Sequence, residues 1–457
     1  MPRLIDNSHT KTARNWTEGS IFGNLWSLSW PIAVGAVFNT LGPTIDMIWV
    51  GKLGAVSIAG VGVSSLIVDV INTMLMGLYT GVRAMIARFI GAREEKNANL
   101  VVQQGLFISG TFSITMALIG IFLADWILKI TGVAPEVVSE GAAYLRIQFC
   151  GVAAQSFRMV NDSVMQASGD SKTPMSIAIV FRIFHIALCP FLIFGWWIFP
   201  RLGVSGAALT NVISQGLGTI LGFWILFTGR SHLQLTFKNF RINGNIIWRL
   251  LKIGLPASIM GMERSFASLF LVWFVSPFGT VAVAAHSLMQ RLSPFLHMPG
   301  MGFGQGAGVL AGQNLGAGQP KRAEKTAWSA VGLITCGMVI PTLAILFWSK
   351  QIIGMFNTNA DFIKVGSIFL KIEIINCIFF GMSMGFQQIL NGVGDTLIPM
   401  ITLLFSVWGI QMPLAATLPK TSLGVYGVRL AMSLAMAIRG TIYSIYFRLG
   451  RWKRKQI

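Results

Sequence analysis

The residues best placed to do chemistry in this 457-residue chain are ionisable side chains set inside long apolar runs. Asp46 stands 15 residues after Pro31, late in the first such run. On insertion scales a charged Asp at the centre of a bilayer costs about 2.5–3.5 kcal/mol. It must therefore be paired, solvated by a cavity or neutralised by a proton. A group held in that way can trade a proton, and a proline in the same helix allows the helix to bend. Asp46 is thus read as a cation-coupling residue and Pro31 as a bending point. Glu263, beside Arg264 in a later run, offers an internal pair or a cation site. Arg158 and Asp162 lie four apart, where helical side chains meet; Lys371 and Glu373 lie two apart and do not face each other. Asp69, in the second run, has no role assigned by the sequence.

Other chemistries lack their residues. There is no HExxH and no pair of carboxylates spaced for acid–base catalysis, and the chain holds five histidines. The series Gly300-x-Gly302-x-Gly304-x-Gly306-x-Gly308 resembles a phosphate cradle but lacks its Lys-Ser/Thr. Gly77-xxx-Gly81, Gly302-xxx-Gly306 and Gly308-xxx-Gly312 have the spacing for close helix contact in membranes. Cys150, Cys189, Cys336 and Cys377 are scattered through apolar runs without a CxxC pair, as small buried residues would be. An enzyme, a cofactor and a metal site are not expected.

The elements that must carry these residues follow from composition. Apolar and aromatic residues make up 54% of the chain and charged residues 11%, against about 25% charged in a soluble globular protein. Twelve runs are long enough to span a bilayer: 24–48, 56–82, 101–125, 137–165, 174–198, 205–228, 248–274, 281–308, 327–349, 362–388, 398–418 and 425–447. They are too long and too uniformly apolar for barrel strands. The net charge of +19 would suit nucleic acid, but the basic residues gather in alternate connections and tails. Arg88, Arg93, Lys96, Arg230, Lys238, Arg241, Lys321, Arg322 and the tail from Arg448 to Lys455 fall on one side. That pattern obeys the positive-inside rule, so nucleic acid is excluded and the lipid bilayer is the expected surrounding. Residues 1–20 are a polar cytoplasmic tail with no secretory signal, so the Asn15-Trp16-Thr17 triplet is not read as glycosylated. An N-terminal six-helix lobe spans 21–228, a cytoplasmic linker 229–247, a C-terminal six-helix lobe 248–447 and a basic cytoplasmic tail 448–457.

The two lobes are copies. A shift of 225 aligns Pro31 with Pro256, Gly77 and Gly81 with Gly302 and Gly306, and Gly91-Ala92 with Gly316-Ala317. It also aligns Gly169-Asp170 with Gly394-Asp395, and Pro174-Met175 with Pro399-Met400. A shift of 221 then pairs Leu202-Gly203-Val204-x-Gly206 with Leu423-Gly424-Val425-x-Gly427. Six spans per copy start both halves on the same side, which relates them by an axis along the membrane normal and places a substrate site between them. The fold class is an all-α integral membrane protein of twelve transmembrane helices in two six-helix bundles related by a pseudo-two-fold repeat. Each Gly-Asp-x-x-x-Pro-Met is the cytoplasmic turn between spans four and five of its half. Asp46 aligns with Leu271, so a coupling carboxylate belongs to the first half alone.

At these residues the chain resembles the multidrug and toxic compound extrusion (MATE) family over nearly its whole length. The resemblance rests on Pro31, on Asp46-Met47-Ile48-Trp49-Val50-Gly51-Lys52-Leu53-Gly54, on Gly308 through Gly318, and on the two Gly-Asp turns. It implies a V-shaped pair of bundles that export cationic, often lipophilic compounds against inward protons or sodium ions. Many members carry in the fifth span an Asn and, four residues later, an Asp before Pro. His185 and Cys189 hold those places here, before Pro190. The departure removes a second acidic ligand and disfavours sodium. Imidazole titrates near neutrality, so Asp46 and His185 are read together as a proton site. Cys189, Asn211 and Glu263 are candidates for the substrate cavity. A lipid-linked saccharide flippase of the same superfold is the alternative, which would use several of Arg83, Arg158, Arg182, Arg264 and Arg291. The expected setting is a bacterial inner membrane, multi-pass, with both termini cytoplasmic and the chain a monomer.

Overall fold

The structure, a computed structural model, describes residues 15–238 and 240–455, without the side chains of Pro294 and Phe295. The expected N-terminal tail is therefore seen from Asn15 onward. Asn239 of the expected linker and the last two residues of the C-terminal tail lie outside the described residues.

Among the described residues the chain is helical throughout. The first half contains α1 (Ile21–Val50), α2 (Ala55–Gly91), α3 (Glu95–Ile130), α4 (Pro135–Ala167), α5 (Lys172–Phe194) and α6 (Gly203–Phe227). The second contains α7 (Gly244–Val275), α8 (Thr280–Gly316), α9 (Pro320–Gly337), α10 (Val339–Gly354), α11 (Ala360–Gly392), α12 (Leu397–Leu404), α13 (Met412–Thr417) and α14 (Tyr426–Leu449). Helices α9 and α10 form one span, Pro320–Gly354, and α12 and α13 another, Leu397–Lys420. The α9–α10 break precedes Pro341, whose ring crowds the carbonyl of Gly337 and supplies it no N–H. Among the described residues ten helical segments are long and apolar enough to cross a bilayer. Helix α4, with its internal charges, and α8 complete the twelve.

Helices outrun the apolar runs that announce them. Helix α2 continues to Gly91 and α8 to Gly316, because backbone hydrogen bonds persist after hydrophobicity ends. Helix α5 stops at Phe194, short of the expected 198, because Gly195 at φ +73° turns the chain away. Helix α7 starts inside the expected linker, where the Asn243 side chain accepts from the N–H groups of Asn245 and Ile246. The rest of that connection is tied to α3: Asn99 and Gln103 donate to the Thr236 carbonyl, and Gln104 to that of Arg241.

The repeat recurs in local geometry. Gly169 and Gly394 have φ +97° and +84°, and the N–H of Asp170 and of Asp395 each reach back five residues, to Met165 and Leu390. The Asp170 carboxylate then accepts from the Thr173 N–H, whereas Asp395 accepts from Tyr446 and Lys455. The halves differ in their third spans, where α3 is continuous and α9–α10 is broken, and in their fifth. Where α5 is regular, the second half has a π-helical turn, Phe405–Gln411.

The lobes meet through α1 and α2 on one side and α7 and α8 on the other. A Cβ added at Gly77 would overlap Ser258, one at Gly81 would lie 2.8 Å from the Leu250 carbonyl oxygen, and one at Gly302 would overlap Ala33. Gly306 abuts Ser29 in the same way. On the other face of α8, Gly300, Gly304 and Gly308 admit α11. Alternate glycines of one series thus serve two neighbours. These contacts, with Gln313 donating to the Ala167 carbonyl at 2.7 Å, run from the basic end to about the helix midpoints. The C-terminal segment ties that end: Arg88 donates to the Val393 and Lys455 carbonyls, Lys455 pairs with Asp395 and Lys453 with Glu324.

Candidate functional site

The candidate site lies in the first lobe, beyond the zone where the lobes touch. Asp46 comes late in α1, and His185 and Cys189 face it from α5. His185 Nε2 lies 2.9 Å from Asp46 Oδ1, and the Cys189 thiol donates to the same oxygen at 3.5 Å. Asp46 is 1% exposed and the other two are fully buried. His185 and Cys189 share a face because they are four apart on one helix. Around them Val50, Tyr144, Ile193, Val204 and Ala207 form an apolar shell that keeps water out. Asp46 Oδ2 is buried without a hydrogen-bond partner, so one carboxylate oxygen is free to receive a proton.

A fourth group completes the array. Arg182, one turn before His185, places Nη1 2.7 Å from His185 Nδ1. A guanidinium only donates, so Nδ1 must accept. The ring proton then sits on Nε2 and is donated to Asp46. The imidazole is neutral in this tautomer and bridges an arginine to a carboxylate. The three ligand atoms of Asp46, His185 and Cys189 lie within 4.8 Å of one another, close enough to hold a metal ion. A neutral imidazole that binds metal through Nε2 carries its proton on Nδ1, where Arg182 already donates. The array as it stands suits a proton better than a metal.

The remaining sequence candidates sit elsewhere. Asn211 accepts from Gln215, whose side-chain oxygen accepts from Arg158, which also pairs with Asp162 at 2.5 Å. That chain lies between α4 and α6, with no hydrogen bond to Asp46 or His185 among those described. Glu263 is in the other lobe, 5% exposed, within electrostatic reach of Arg439 and Arg264. Pro31 lies near the lobe contact at Ala33, whereas Pro43 is three residues from Asp46. Sequence reasoning passed over Pro43 and took Arg182 only as a cavity arginine. The available signal was a proline inside an apolar helix, which leaves a carbonyl that some donor must satisfy. A second buried group forms around Glu373, which the sequence set only against Lys371 and without the partners it has here. Glu373 accepts from Ser293 and Asn376 and stands 3.9 Å from both His297 and Arg429.

A family model for MatE matches residues 31–191 and again 256–417. Its two matches begin at the prolines that the internal repeat aligns. The chain belongs to the MatE family. This MATE chain is 28% identical over 436 residues to a probable multidrug resistance protein, YoeA, of Bacillus subtilis, covering 93% of each. It is 27% identical to a second such protein, YpnP, of the same organism, over 97% of this chain and 99% of that one. Its fold superimposes with a TM-score of 0.90 on a multidrug resistance MATE transporter of the MOP superfamily in an outward-facing conformation. That match is 22% identical and covers 98% of this chain and all of the other. The protein is therefore a multi-pass membrane transporter of the MATE fold, with twelve spans in two bundles.

Proposed function

We propose that this MATE transporter is a proton-coupled antiporter that exports cationic, often lipophilic compounds by alternating access. The observation that carries the reading is the buried Asp46 carboxylate, held by His185 on one oxygen and open on the other. One carboxylate, an imidazole and a thiol form a poor seat for sodium, because hard cations take oxygen ligands. Protonation of Asp46 from outside removes its charge and weakens substrate binding. The lobes then rock, and release of the proton inside restores affinity. The positive-inside rule puts the basic end, and both termini with it, in the cytoplasm of a bacterial inner membrane. Both lobes and the whole Asp46–His185–Cys189 array come from one chain, so a monomer suffices.

A charge on α2 supports a charged cargo. Asp69 continues the four-residue stripe Thr73–Gly77–Gly81 of α2 that packs on α7, and it is exposed. A charge exposed at that depth belongs to a water-filled space rather than lipid. A second reading draws on the other wall. Arg264 lies three residues after Gly261, which packs on Thr73, and Arg291 lies eleven residues, three turns, before Gly302. Both are exposed. They favour a cargo with an acidic head, as the lipid-linked saccharide flippase would carry. Arg158 and Arg182 are committed to Asp162 and to α1 and do not add to that count.

The test is internal pH in vesicles that contain purified protein, challenged with a panel of lipophilic cations. Proton movement that requires both a cation and Asp46 supports the antiporter, and Asp46→Asn should abolish it. Movement that persists in Asp46→Asn, or that follows sodium alone, rejects the proposed coupling site. Silence with every cation favours the flippase.

A further inference from the structure

We propose that Arg182 is the positioning residue of the proton site: it clamps α1 at Pro43, where the helix lacks a backbone hydrogen bond, so that a proton arriving at Asp46–His185 releases that helix. The inference rests on the proton-coupled reading above.

Three observations meet at one guanidinium. Pro43 has no N–H to give the Asn39 carbonyl and its ring crowds that oxygen. Arg182 fills the gap, donating from Nη2 to Asn39 at 3.0 Å and from Nε to Phe38 at 2.9 Å. Gly42 makes the space, since a Cβ there would lie 2.5 Å from Arg182 Cζ and closer still to Nη1. The third nitrogen, Nη1, holds His185 Nδ1. One side chain, 3% exposed, thus joins the turn of α1 that lacks a backbone donor to the ring that holds Asp46.

The charges make this arrangement responsive. Arg182, neutral His185 and Asp46 sum to zero. From α5, Cys189 also faces Asp46; from α4, Tyr144 is within electrostatic reach of Asp46, and Arg158 within reach of Arg182. A proton added to the array leaves one net positive charge in a buried, water-poor place, where an uncompensated charge is costly. If the proton stays on Asp46, the carboxylate no longer offsets Arg182. If it passes to His185 Nδ1, two donors face each other. Either way the guanidinium is driven off, the Asn39 carbonyl loses its donor, and α1 is free to hinge at Pro43.

The test uses the full chain in nanodiscs, with exposed Cys150 and Cys336 replaced by Ser and spin labels at Ile48→Cys and Trp126→Cys, both exposed. The α1–α3 distance is followed from pH 5 to pH 9. Wild type should switch between two distances. Arg182→Gln should show the low-pH distance at every pH. Pro43→Ala restores an N–H for Asn39 and should show the high-pH distance throughout. The double variant should follow Pro43→Ala, which a merely structural arginine would not produce. A wild-type pH response in Arg182→Gln or in Pro43→Ala overturns the proposal, as does a double variant that follows Arg182→Gln. Asp46→Asn separates the two readings: if it keeps the wild-type pH response, the proton site itself is wrong. If it abolishes the response while Arg182→Gln does not, only the role of Arg182 falls.

Discussion

Gly302→Ala should shift the balance between the two access states without touching the proton site. The added Cβ would lie 2.7 Å from both N and Cβ of Ala33 on α1. Carbon atoms rest at about 3.5–4.0 Å, so α1 and α8 must part by about 1 Å. Both obstacles belong to helix backbone or to a methyl fixed on it, so neither can rotate aside. Overpacking of this kind costs about 1–3 kcal/mol. The state described here bears that cost, because its lobes touch at Ala33. The state in which they separate at the basic end escapes it. A mutation, like a ligand, shifts a two-state equilibrium only by its differential effect, which here amounts to about 5- to 150-fold. Spin labels at Ile48→Cys and Phe278→Cys, exposed on opposite lobes at the far end, should report a larger share of the shorter distance. Gly332→Ala is the control, since a Cβ there meets nothing within 4 Å. An unchanged distance distribution in Gly302→Ala, or an equal shift in Gly332→Ala, would refute the reasoning.

Further expectations concern the site, its neighbours and the ends of the chain. Cys189→Ala removes a donor to the carboxylate form of Asp46; losing it favours the proton, so the pH midpoint of transport should move upward by less than one unit, while Cys189→Ser should leave it in place. Asp162→Leu strands Arg158 and should cost about 3–5 kcal/mol, seen as a lower unfolding temperature that Arg158→Met on the same chain largely restores. Removing residues from Lys455 onward deletes the Lys455–Asp395 and Arg88–Lys455 contacts and leaves the buried Trp452 in place. Hydrogen bonds to charged groups contribute about 1.5–3 kcal/mol, less here because Lys455 is 37% exposed, so the same spin labels should show a modest shift toward opening at the basic end. Gly169→Ala meets both a left-handed φ and the Trp16 indole, whereas Gly132→Ala meets only the φ; the first should lower the unfolding temperature clearly more than the second.

Much of the molecule was legible in the order of residues. Apolar runs of bilayer length leave a helix as the way to satisfy the backbone in lipid, so the spans and their number follow from hydropathy. The 225-residue register carried the two bundles, their matched turns and the glycine stripes, because a repeated local pattern makes a repeated local structure. Asp46 stood out because a carboxylate in an apolar run is costly wherever it lies. The partners of that carboxylate were another matter. His185 and Cys189 entered through the family pattern, and their approach to Asp46 depends on how α5 packs on α1, 139 residues away along the chain. The tautomer of His185 depends on Arg182, whose place depends on a niche at Gly42 and a carbonyl freed by Pro43. None of these is a periodic signal. Hydropathy and helical repeat are properties of neighbours in sequence, and they determined the fold of each half. Which donor meets which acceptor is a property of two helices side by side, and only the tertiary structure decided it.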